Sequence, residues 1–439
     1  MILRDPVHGL VDFEAPFERV VERLLRAGEV QRLRRVRQLG LASFVFLGAE
    51  HSRFAHAVGT AWVMVLLLRR IATRVSDLPP DLRPTERDQA DAVAAALLHD
   101  LGHGPFSHLF EEVMPGARTH EAWTLDALAD RSTEVSRALS ELDPGMPERV
   151  ASLLTGTHRL AYLSHAISGT LDVDRCDYLL RDSHMTGVRY GLFDLEWLLR
   201  ALTFAEVVRA NGTREWVLAI EGRKGLPPIE SFFLARHFMY NQVYHHKATR
   251  AAECVIRGIF VRAGELVRDG APLDPLPAAL RAAARGEPVS LDDYLALDDS
   301  LLLSCFHGWS TSSDPTLSDL ARRMLSRNLP KTVPLPEEPG ARGRWNEALA
   351  RATEVVERHG MRADLSVWLD VPTDTPYPEP SDDSPAGLWV ALRHRPLARL
   401  GDVSFLLGEL RNKKLERPRL VFPAEVRDDV IRAVEEVIA

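Results

Sequence analysis

The first half of the chain carries apolar residues at helical spacing. The clearest stretch covers residues 53–74, where a long apolar face ends in Arg74, and similar periodicity covers residues 88–99 and 119–142. Apolar positions three and four residues apart share one face of an α-helix, so each stretch predicts a helix with a buried side. Strand-like runs do not alternate with these stretches, which argues against a nucleotide-binding parallel sheet.

The pattern changes in the second half, where shorter elements are predicted. Two apolar runs flank Asn211-Gly212, a dipeptide typical of a hairpin turn. In chain order, the predicted elements are strands at 202–208 and 216–220, a helix at 227–268, a peripheral helix with loops at 270–290, a helix at 344–359, strands at 366–371, 388–392 and 419–421, a surface loop at 372–386 and a helix at 424–438.

A composition shift at residues 334–343 marks a predicted domain boundary. The sequence therefore predicts a mainly α protein, with a helical core and a small β-hairpin over residues 1–335 and a small α+β C-terminal domain over residues 336–439. A chain of 439 residues can bury such cores without disulfides or a structural metal.

Charge and cysteine content narrow the function classes. The chain has 54 Lys and Arg against 62 Asp and Glu, a net charge of −8, and it has no basic run with interleaved aromatic residues, so stable nucleic-acid binding is not expected. Three distant cysteines, Cys176, Cys254 and Cys305, exclude a disulfide framework and fit a reducing compartment. Residues 1–6 lack a signal-peptide core, and the longest apolar run, 61–68, is too short to span a membrane. We expect a cytoplasmic protein.

The candidate chemistry is concentrated in a His–Asp motif. His99 and Asp100 end an apolar helix and precede a Gly- and Pro-rich turn at 101–105. A neutral imidazole and a carboxylate are suitable ligands for a first-row divalent ion. His56 upstream and Asp174 downstream offer further ligands. For any of these residues taken singly, a buried side chain satisfied by hydrogen bonds is the alternative.

The order His, then His-Asp, then Asp is the signature of the HD phosphohydrolase superfamily, and several motifs extend the likeness. The chain resembles the deoxynucleoside triphosphate (dNTP) triphosphohydrolases of that superfamily over roughly residues 2–335. The matching segments are DPVHG at 5–9, QRLR at 31–34, QLG at 38–40, SRF at 52–54, DLGHGPFSH at 100–108, DVDR at 172–175, YHHK at 244–247 and RNLPK at 327–331.

The resemblance implies an all-helical HD domain that holds one divalent metal ion through His56, His99, Asp100 and Asp174. Manganese, iron, nickel, cobalt or zinc would suit this mixed nitrogen and oxygen donor set. The resemblance also allows additional magnesium bound with the substrate triphosphate.

Catalytic roles also follow from the resemblance. His108 would protonate the 5′-oxygen, and His120, paired with a carboxylate, would be the second catalytic histidine. The family carboxylate one turn after His108 is usually Asp, and here it is Glu111, which lies three residues further along the same predicted helix face. For Glu111 a solvated helix-face charge is the alternative.

Substrate contacts are implied in two groups. By resemblance, cations and a histidine would bind phosphates, and Gln38 and Asp182 would contact the 3′-hydroxyl while Tyr244 fills the place of a 2′-hydroxyl. The alternatives are surface cations, a turn-stabilising histidine and packed tyrosines. The phosphate group comprises Arg53, His103, Arg175, Arg236 and Lys247, and the nucleoside group comprises Gln38, Leu39, Tyr178, Asp182, Tyr240 and Tyr244.

A regulatory nucleotide site is implied at four further positions, Gln31, Arg34, Arg327 and Lys331, with structural ion pairs as the alternative for the arginines. The family also leads us to expect a homo-oligomer, a dimer or a tetramer.

The leading hypothesis is a metal-dependent hydrolase that converts a dNTP to deoxynucleoside and inorganic triphosphate. An HD nucleotidase or phosphodiesterase acting on another nucleotide is the first alternative, because it shares the four metal ligands but needs fewer phosphate-binding cations. A catalytically silent nucleotide sensor is the second alternative, and the presence of His108 and His120 argues against it, since a sensor needs no proton donors.

Overall fold

The computed structural model describes residues 1–114, 118–209, 212–338, 340–380 and 387–438, and it is mainly helical. The α-helices are α1 Val20–Leu24, α2 Gly28–Arg32, α3 Arg53–Arg74, α4 Glu86–Leu98, α5 His108–Val113, α6 His120–Ala129, α7 Glu134–Leu142, α8 Met146–Leu154, α9 Ala161–Ile167, α10 Val173–Thr186, α11 Leu195–Arg200, α12 Leu226–Met239, α13 Lys247–Arg268, α14 Ala278–Ala284, α15 Leu291–Leu295, α16 Asp299–Trp309, α17 Pro315–Leu325, α18 Arg342–Arg358, α19 Leu400–Val403, α20 Phe405–Leu410 and α21 Arg427–Ile438.

In the part of the chain that the structure describes, short strands form four small sheets at the margins of the helices. The strands are β1 Ile2–Asp5, β2 Gly9–Asp12, β3 Leu202–Val208, β4 Arg214–Glu221, β5 Lys331–Pro334, β6 Trp368–Asp370, β7 Thr373–Asp374, β8 Trp389–Ala391, β9 Ala398–Arg399, β10 Leu415–Glu416 and β11 Arg419–Phe422. The sheet orders are β1-β2, β10-β7, β5-β11-β6 and β3-β4-β8-β9, and the β4–β8 pair is the parallel one among the described strands. The prediction of a mainly α fold with a small hairpin is confirmed.

Helix α3 is the centre of the core and packs against α4 and α10. Fourteen of its 22 residues are buried, because its apolar positions cover most of its circumference. By length and composition alone, one described helical stretch, Arg53–Asp77, would reach across a membrane, and 78% of its most apolar window is buried inside the protein. The first turns of α3 and α10 lie beside the end of α4, where His56, Asp174 and His99 approach one another.

Most predicted elements of the first half are confirmed, with one helix divided. The stretches at 53–74 and 88–99 are α3 and α4, and the hairpin strands pair in the register Leu202↔Ile220 to Val208↔Arg214. The stretch at 119–142 breaks into α6 and α7, because the Thr133 side chain accepts a hydrogen bond from the Ser136 N–H and caps a new helix. Asn211 lies outside the described residues.

The single helix predicted at 227–268 is wrong. Helix α12 is followed by a π-helical segment, Tyr240–Tyr244, in which the His245 N–H bonds to the Tyr240 carbonyl at 2.9 Å, five residues back. His246 then adopts an extended conformation and caps α13 through its ring nitrogen. Such π segments are concentrated at functional sites, and no glycine or proline marks this one in the sequence.

The surface loop predicted at 372–386 is wrong in its described part. Asp374, Tyr377 and Glu379 are buried, and Tyr377 donates a hydrogen bond to Glu379 at 2.6 Å. This segment packs on the helical core through Arg236 and His237, which hold Asp374 at 3.2 and 3.0 Å. Asp374 can be buried because Arg236 and His237 of α12 pair with it, and Glu379 can be buried because Arg411 pairs with it at 2.9 Å.

In two sheets, strands that precede residue 336 pair with strands that follow it. Strand β8 extends the hairpin sheet beside β4, and β5 pairs with β11. A separate small core lies between α18 and α21 and includes Trp345, Val356 and Phe422. Both sheets therefore cross the predicted boundary at 335/336, and that boundary stays a prediction. The N-terminal hairpin β1-β2 was not predicted from the sequence.

Candidate active site

Three ligand-type side chains converge where α3, α4 and α10 meet. His56 lies on α3, His99 directly follows α4, and Asp174 lies in the first turn of α10. The His56 Nε2 and Asp174 Oδ1 atoms are 3.0 Å apart, and His99 Nε2 lies 3.5 Å from the same oxygen. Asp100 joins them, with its oxygens 3.6 Å from His56 Nε2 and 3.3 Å from His99 Nε2. We call these four residues the metal cluster.

The imidazole rings of the metal cluster are oriented as metal binding requires. His56 Nδ1 lies 2.8 Å from Asp177 Oδ2, and His99 Nδ1 lies 2.9 Å from the Ala96 carbonyl oxygen. In the neutral form of each ring the acceptor holds the proton on Nδ1, so that the lone pair of Nε2 faces the cluster. Both Nε2 atoms are buried, and carboxylate oxygens of Asp100 and Asp174 lie 3.0 to 3.6 Å from them. The four residues therefore fit a divalent metal ion.

Electrostatics at the metal cluster favour a cation. Burial alone would lower the pKa of His56, but hydrogen bonds and attraction from Asp174 and Asp177 outweigh burial and raise its pKa to about 10. The pKa of His99 is raised in the same way against burial by Asp100 and Asp174. Without a metal His56 holds a proton near pH 7, and a metal ion must displace that proton because only neutral imidazole binds it.

A buried network of ion pairs lies behind the metal cluster and supports it. The sequence motifs did not predict a role for the residues of this network. Asp177 accepts hydrogen bonds at 2.8 Å from His56 and Arg181 and lies 2.7 Å from His8 Nε2. Arg181 also donates to Asp5 at 2.8 Å. Burial opposes ionisation of Asp177, but the charge of Arg181 and the hydrogen bonds hold its pKa well below the ordinary value. Such partners orient the ligand and raise its basicity.

The sequence contains two signals for this network. Asp177 follows Asp174 by three residues on α10, so the two carboxylates share one face of that helix. Gly59 lies on α3 where an added Cβ would meet Asp177 Oδ1 at 1.9 Å. Only glycine allows the carboxylate to reach His56 at this point.

A second cluster borders the first and shares Asp100 with it. His103 Nε2 lies 3.3 Å from Asp100 Oδ1, and the rings of His103 and His120 stack with centroids 3.7 Å apart. Glu111 Oε1 lies 2.8 Å from His120 Nδ1 and 3.6 Å from His103 Nδ1. The structure therefore brings Glu111 to His120. The side chain of His108 lies outside the described residues.

The electrostatic environment of the second cluster differs from that of the metal cluster. Burial and the neighbouring Arg53 guanidinium outweigh the attraction of Asp100 and hold the pKa of His103 well below its ordinary value. His103 is therefore neutral near pH 7. A neutral imidazole in this position is suited to donate a hydrogen bond to a phosphoryl oxygen or to accept a proton.

The turn that carries the second cluster is strained. Phe106 and Ser107 have φ values of 55° and 58°, which non-glycine residues rarely adopt. Buried Asp299 holds this turn by accepting hydrogen bonds from the main-chain N–H groups of Phe106 at 2.9 Å and Arg37 at 3.0 Å. Strain of this kind persists only where surrounding contacts enforce it. Asp299 thus joins this turn to the segment that contains Gln38.

A cavity of about 850 Å³ opens over both clusters. Its volume is in the range of small-molecule binding sites. Gln38 Oε1, a predicted sugar contact, is buried in its wall without a hydrogen-bond partner among the described residues. The predicted site residues that line the cavity are Gln38, Leu39, Arg53, His99, Asp100, His103, His120, Asp174, Arg175, Tyr178, Asp182, Tyr240 and Tyr244.

Two of the predicted sugar contacts, Asp182 and Tyr244, form a hydrogen-bonded group in the wall. The Tyr244 hydroxyl donates to Asp182 Oδ2 at 2.8 Å, and His51 Nε2 lies 2.8 Å from Asp182 Oδ1. The Tyr178 and Tyr244 rings meet edge to face at 6.1 Å. These contacts fix the position of each group before a ligand arrives, so the wall is preorganised.

The predicted phosphate-binding cations divide into two sets. Arg53 is buried in the cavity wall, where it donates to Ser107 Oγ at 3.1 Å and pairs with Asp100. Arg175 lines the cavity and pairs with Asp172 and the Gly169 carbonyl. Arg236 and Lys247 lie outside the lining: Arg236 donates to the Thr375 carbonyl at 2.8 Å, and Lys247 is exposed at the start of α13.

The four predicted regulatory residues lie outside the cavity lining. Arg34 donates to Gln31 Oε1 at 2.8 Å and stacks on the Phe54 ring at 3.6 Å. Arg327 donates to the Phe44 carbonyl at 2.9 Å. Lys331 begins strand β5 opposite Phe422. A regulatory site formed by these residues stays a prediction.

Comparisons with known proteins agree with this geometry. An HD-domain family model matches residues 53–182. An uncharacterized protein of Bacillus subtilis, YwfO, is 35% identical over 377 residues, 86% of this chain and 80% of that protein. Bovine deoxynucleoside triphosphate triphosphohydrolase SAMHD1 is 28% identical over 371 residues, 76% of this chain and 58% of that protein. The crystal structure of a phosphohydrolase from Bacteroides thetaiotaomicron, 27% identical, superposes with a TM-score of 0.78 and covers 96% of this chain and 99% of that chain.

The helical fold and the His–Asp site define a hydrolase of the HD phosphohydrolase superfamily. The chain belongs to the HD-domain family that includes the dNTP triphosphohydrolases.

Proposed function

We propose that the protein hydrolyses dNTPs to deoxynucleoside and inorganic triphosphate at the cavity over the metal cluster. The observation that carries the proposal is the juxtaposition of two clusters along one cavity wall with a preorganised sugar-binding group. Asp100 connects the clusters, 3.3 Å from His99 and 3.3 Å from His103. A nucleotide whose phosphate contacts the metal cluster would therefore also contact the second cluster.

Different residues would hold the metal ion and bind the phosphates. His56, His99, Asp100 and Asp174 would hold the divalent ion, which when bound activates water and polarises a phosphoryl oxygen. Arg53 and Arg175 neutralise phosphate charge in the wall, and their guanidinium groups can each contact two oxygens. His103, neutral at pH 7, donates a hydrogen bond to a phosphoryl oxygen.

Residues of the second cluster and its turn would deliver a proton to the leaving 5′-oxygen. His120 is oriented by Glu111 at 2.8 Å, the arrangement that holds an imidazole in one tautomer and stabilises its charged form. His108 begins α5 on the same turn and is the other candidate donor. Proton transfer of this kind contributes about 10²–10⁴-fold to a rate.

Selection of the deoxy sugar would come from the Asp182–Tyr244 pair. Asp182 and Gln38 offer acceptors for a 3′-hydroxyl, and the Tyr244 ring occupies the adjoining wall. A hydroxyl without room or without a partner is excluded by a large factor.

Product analysis tests the proposal directly. Purified protein loaded with Mn²⁺ or Mg²⁺ is incubated with each dNTP, and the products are separated by ion-exchange chromatography. Deoxynucleoside with inorganic triphosphate is the expected result. Deoxynucleoside monophosphate with pyrophosphate would refute the position of cleavage, and hydrolysis of ribonucleotides at equal rate would refute the role of Tyr244.

One observation favours the alternative of an HD nucleotidase or phosphodiesterase with a smaller phosphate group. Arg236 is held by Asp374 at 3.2 Å and by two main-chain carbonyls, and it lies outside the cavity lining. An enzyme that uses fewer phosphate-binding cations would keep nearly full turnover in Arg236→Ala. A triphosphohydrolase that recruits Arg236 would show a raised KM for dNTP in the same variant.

A further inference from the structure

One part of the cavity is lined by elements other than those that carry the metal cluster. Helices α5 and α13 meet there, and Thr249, Arg250 and Glu253 of α13 line the wall together with Leu109 and Glu112 of α5. We call these five residues the α13 compartment. The metal ligands, by contrast, come from α3, α10 and the residues that follow α4. None of these five residues was a predicted site residue.

Thr249 carries a polar atom that the protein leaves unsatisfied. The residue is 4% exposed, and its Oγ1 has no hydrogen-bond partner among the described residues. Buried hydroxyl groups are normally paired, with the protein or with a bound molecule. Because Thr249 lines the cavity, a ligand in the cavity is the natural partner for this hydroxyl.

Glu253 lies one helical turn after Thr249 on the same face of α13. Its Oε2 accepts a hydrogen bond from Arg250 at 2.8 Å, and Arg250 is itself held by Asp370 of β6 at 2.6 and 3.0 Å. Strand β6 thus fixes Arg250, and Arg250 fixes the carboxylate. A carboxylate has about four acceptor positions, and the Arg250 contact uses one oxygen.

The lining of the compartment suits an apolar ring with polar edges. Leu109 supplies an apolar wall together with Leu41, another lining residue of the cavity, and the ion pair of Arg257 with Glu112 joins α13 to α5. Apolar walls with two or three convergent polar groups are the usual surroundings of a nucleobase held in a protein pocket. The polar groups here are the Thr249 hydroxyl and the Glu253 carboxylate.

We propose that Thr249 and Glu253 read the base of the nucleotide and that Glu253 selects guanine. The inference rests on the proposed function, since it assumes a nucleotide in the cavity. Burial raises the pKa of Glu253 to about 7 against the attraction of Arg250, so the carboxylate is ionised at pH 8.5, the pH of the kinetic test. An ionised carboxylate only accepts hydrogen bonds, and the guanine edge presents two adjacent donors, N1–H and the 2-amino group. Thymine presents one N–H between two carbonyl oxygens, which a carboxylate repels. Adenine and cytosine each present an amino donor beside an acceptor.

The test compares kcat/KM at pH 8.5 for the four dNTPs in wild type, Glu253→Gln and Thr249→Val, two variants that keep side-chain size. Wild type is expected to rank dGTP first and dTTP last. Glu253→Gln is expected to reduce the dGTP-to-dTTP ratio about tenfold, the effect of one hydrogen bond to a charged group. Thr249→Val is expected to lower kcat/KM for dGTP about three- to tenfold. Glu265→Gln, on the same helix and paired with Arg362, is the matched control that leaves the ratio unchanged.

Two results would overturn the inference while leaving dNTP hydrolysis standing: equal kcat/KM for all four bases in wild type, or an equal change for all four in both variants. If wild type hydrolyses no dNTP, the proposed function fails instead. Calorimetric titration with dGMP and dTMP then tests base recognition by the α13 compartment. If dGMP and dTMP bind with equal Kd values both to wild type and to Glu253→Gln, base reading is excluded.

Discussion

Two neighbouring groups of histidine and aspartate share Asp100 and yet have opposite electrostatics. In the metal cluster the pKa of His56 is raised to about 10 and that of His99 is also raised, because carboxylates outweigh burial on every side. In the second cluster the pKa of His103 is held well below its ordinary value, because burial and Arg53 outweigh the same Asp100.

The comparison shows that ligand type and spacing do not decide where a metal binds. His56, His99 and Asp174 form one group with ligand spacing, and Asp100, His103 and His120 form another. The first group has excess negative charge that a divalent cation would neutralise. The second already contains the positive charge of Arg53, so a cation there would be repelled. We therefore expect one tightly held metal ion and, beside it, a neutral His103 that binds phosphate and a His120 that transfers protons.

The largest effect is expected from Asp174→Asn. The change removes the negative ligand that both imidazoles of the metal cluster approach, so metal content should fall below one tenth of wild type and hydrolysis should fall about 10³-fold or more. Metal analysis by mass spectrometry with a parallel activity assay measures both. Asp194→Asn, at the exposed cap of α11, is the control that retains metal. Full metal content in Asp174→Asn would mean that the metal cluster is misassigned.

The second cluster is tested by His120→Gln, which keeps a hydrogen-bonding side chain but cannot exchange protons near pH 7. The expected result is a fall in kcat of about 10²–10⁴-fold with unchanged metal content. A loss of metal equal to that of Asp174→Asn would remove the distinction between the clusters. Glu111→Gln should reproduce part of the loss, because His120 then lacks the negative partner at 2.8 Å.

A smaller effect is expected from substitution of Asp177, which supports the metal cluster through His56. Asp177→Asn keeps the shape of the side chain but weakens the hold on His56, so metal affinity should fall about 10–100-fold. Asp177→Ala leaves buried Arg181 without its main partner and should lower the free energy of unfolding by about 3–5 kcal/mol. Chelator competition and thermal unfolding measure the two quantities. Unchanged affinity in Asp177→Asn would show that Asp177 only stabilises the fold.

The smallest effect concerns pH. Because the metal displaces a proton from His56, whose pKa is raised to about 10 in the free protein, metal affinity should rise with pH from 6.5 to 8.5. One displaced proton gives up to about tenfold per pH unit. Competition with a chelator at three pH values measures the slope, after correction for protonation of the chelator itself. A flat profile would mean that His56 is already neutral in the free protein.

Sequence reasoning located the metal cluster because its ligands lie in ordered motifs on predicted helices. It assigned no role to Asp177, His8 or Arg181, since a network of this kind depends on three segments meeting behind the ligands. His8 comes from a short N-terminal hairpin that has no strong periodicity, and its contact with Asp177 spans 169 positions. Long-range pairing of this kind leaves no local pattern in one sequence.

For the fold as well, elements set by local sequence patterns were predicted and those set by distant contacts were not. Helices α3 and α4 followed from apolar spacing, and the hairpin followed from its turn dipeptide. The π segment after α12 did not, because its residues have no distinctive helix-breaking type. The burial of Asp374 also escaped prediction, since a Pro- and Asp-rich segment looks solvated until Arg236 and His237 are placed beside it.

The π segment has a consequence for how this protein can change. A π turn accommodates one residue more than an α turn, and Tyr240–Tyr244 places that extra residue directly before α13. Deleting one residue within 240–244 would allow an ordinary α turn and would shift the later residues of that segment by about 100° around the helix axis. Tyr244 would then lose its position 2.8 Å from Asp182, while the metal ligands, which lie on other elements, kept their places. A single codon loss could therefore alter selection of the sugar and leave the metal cluster whole.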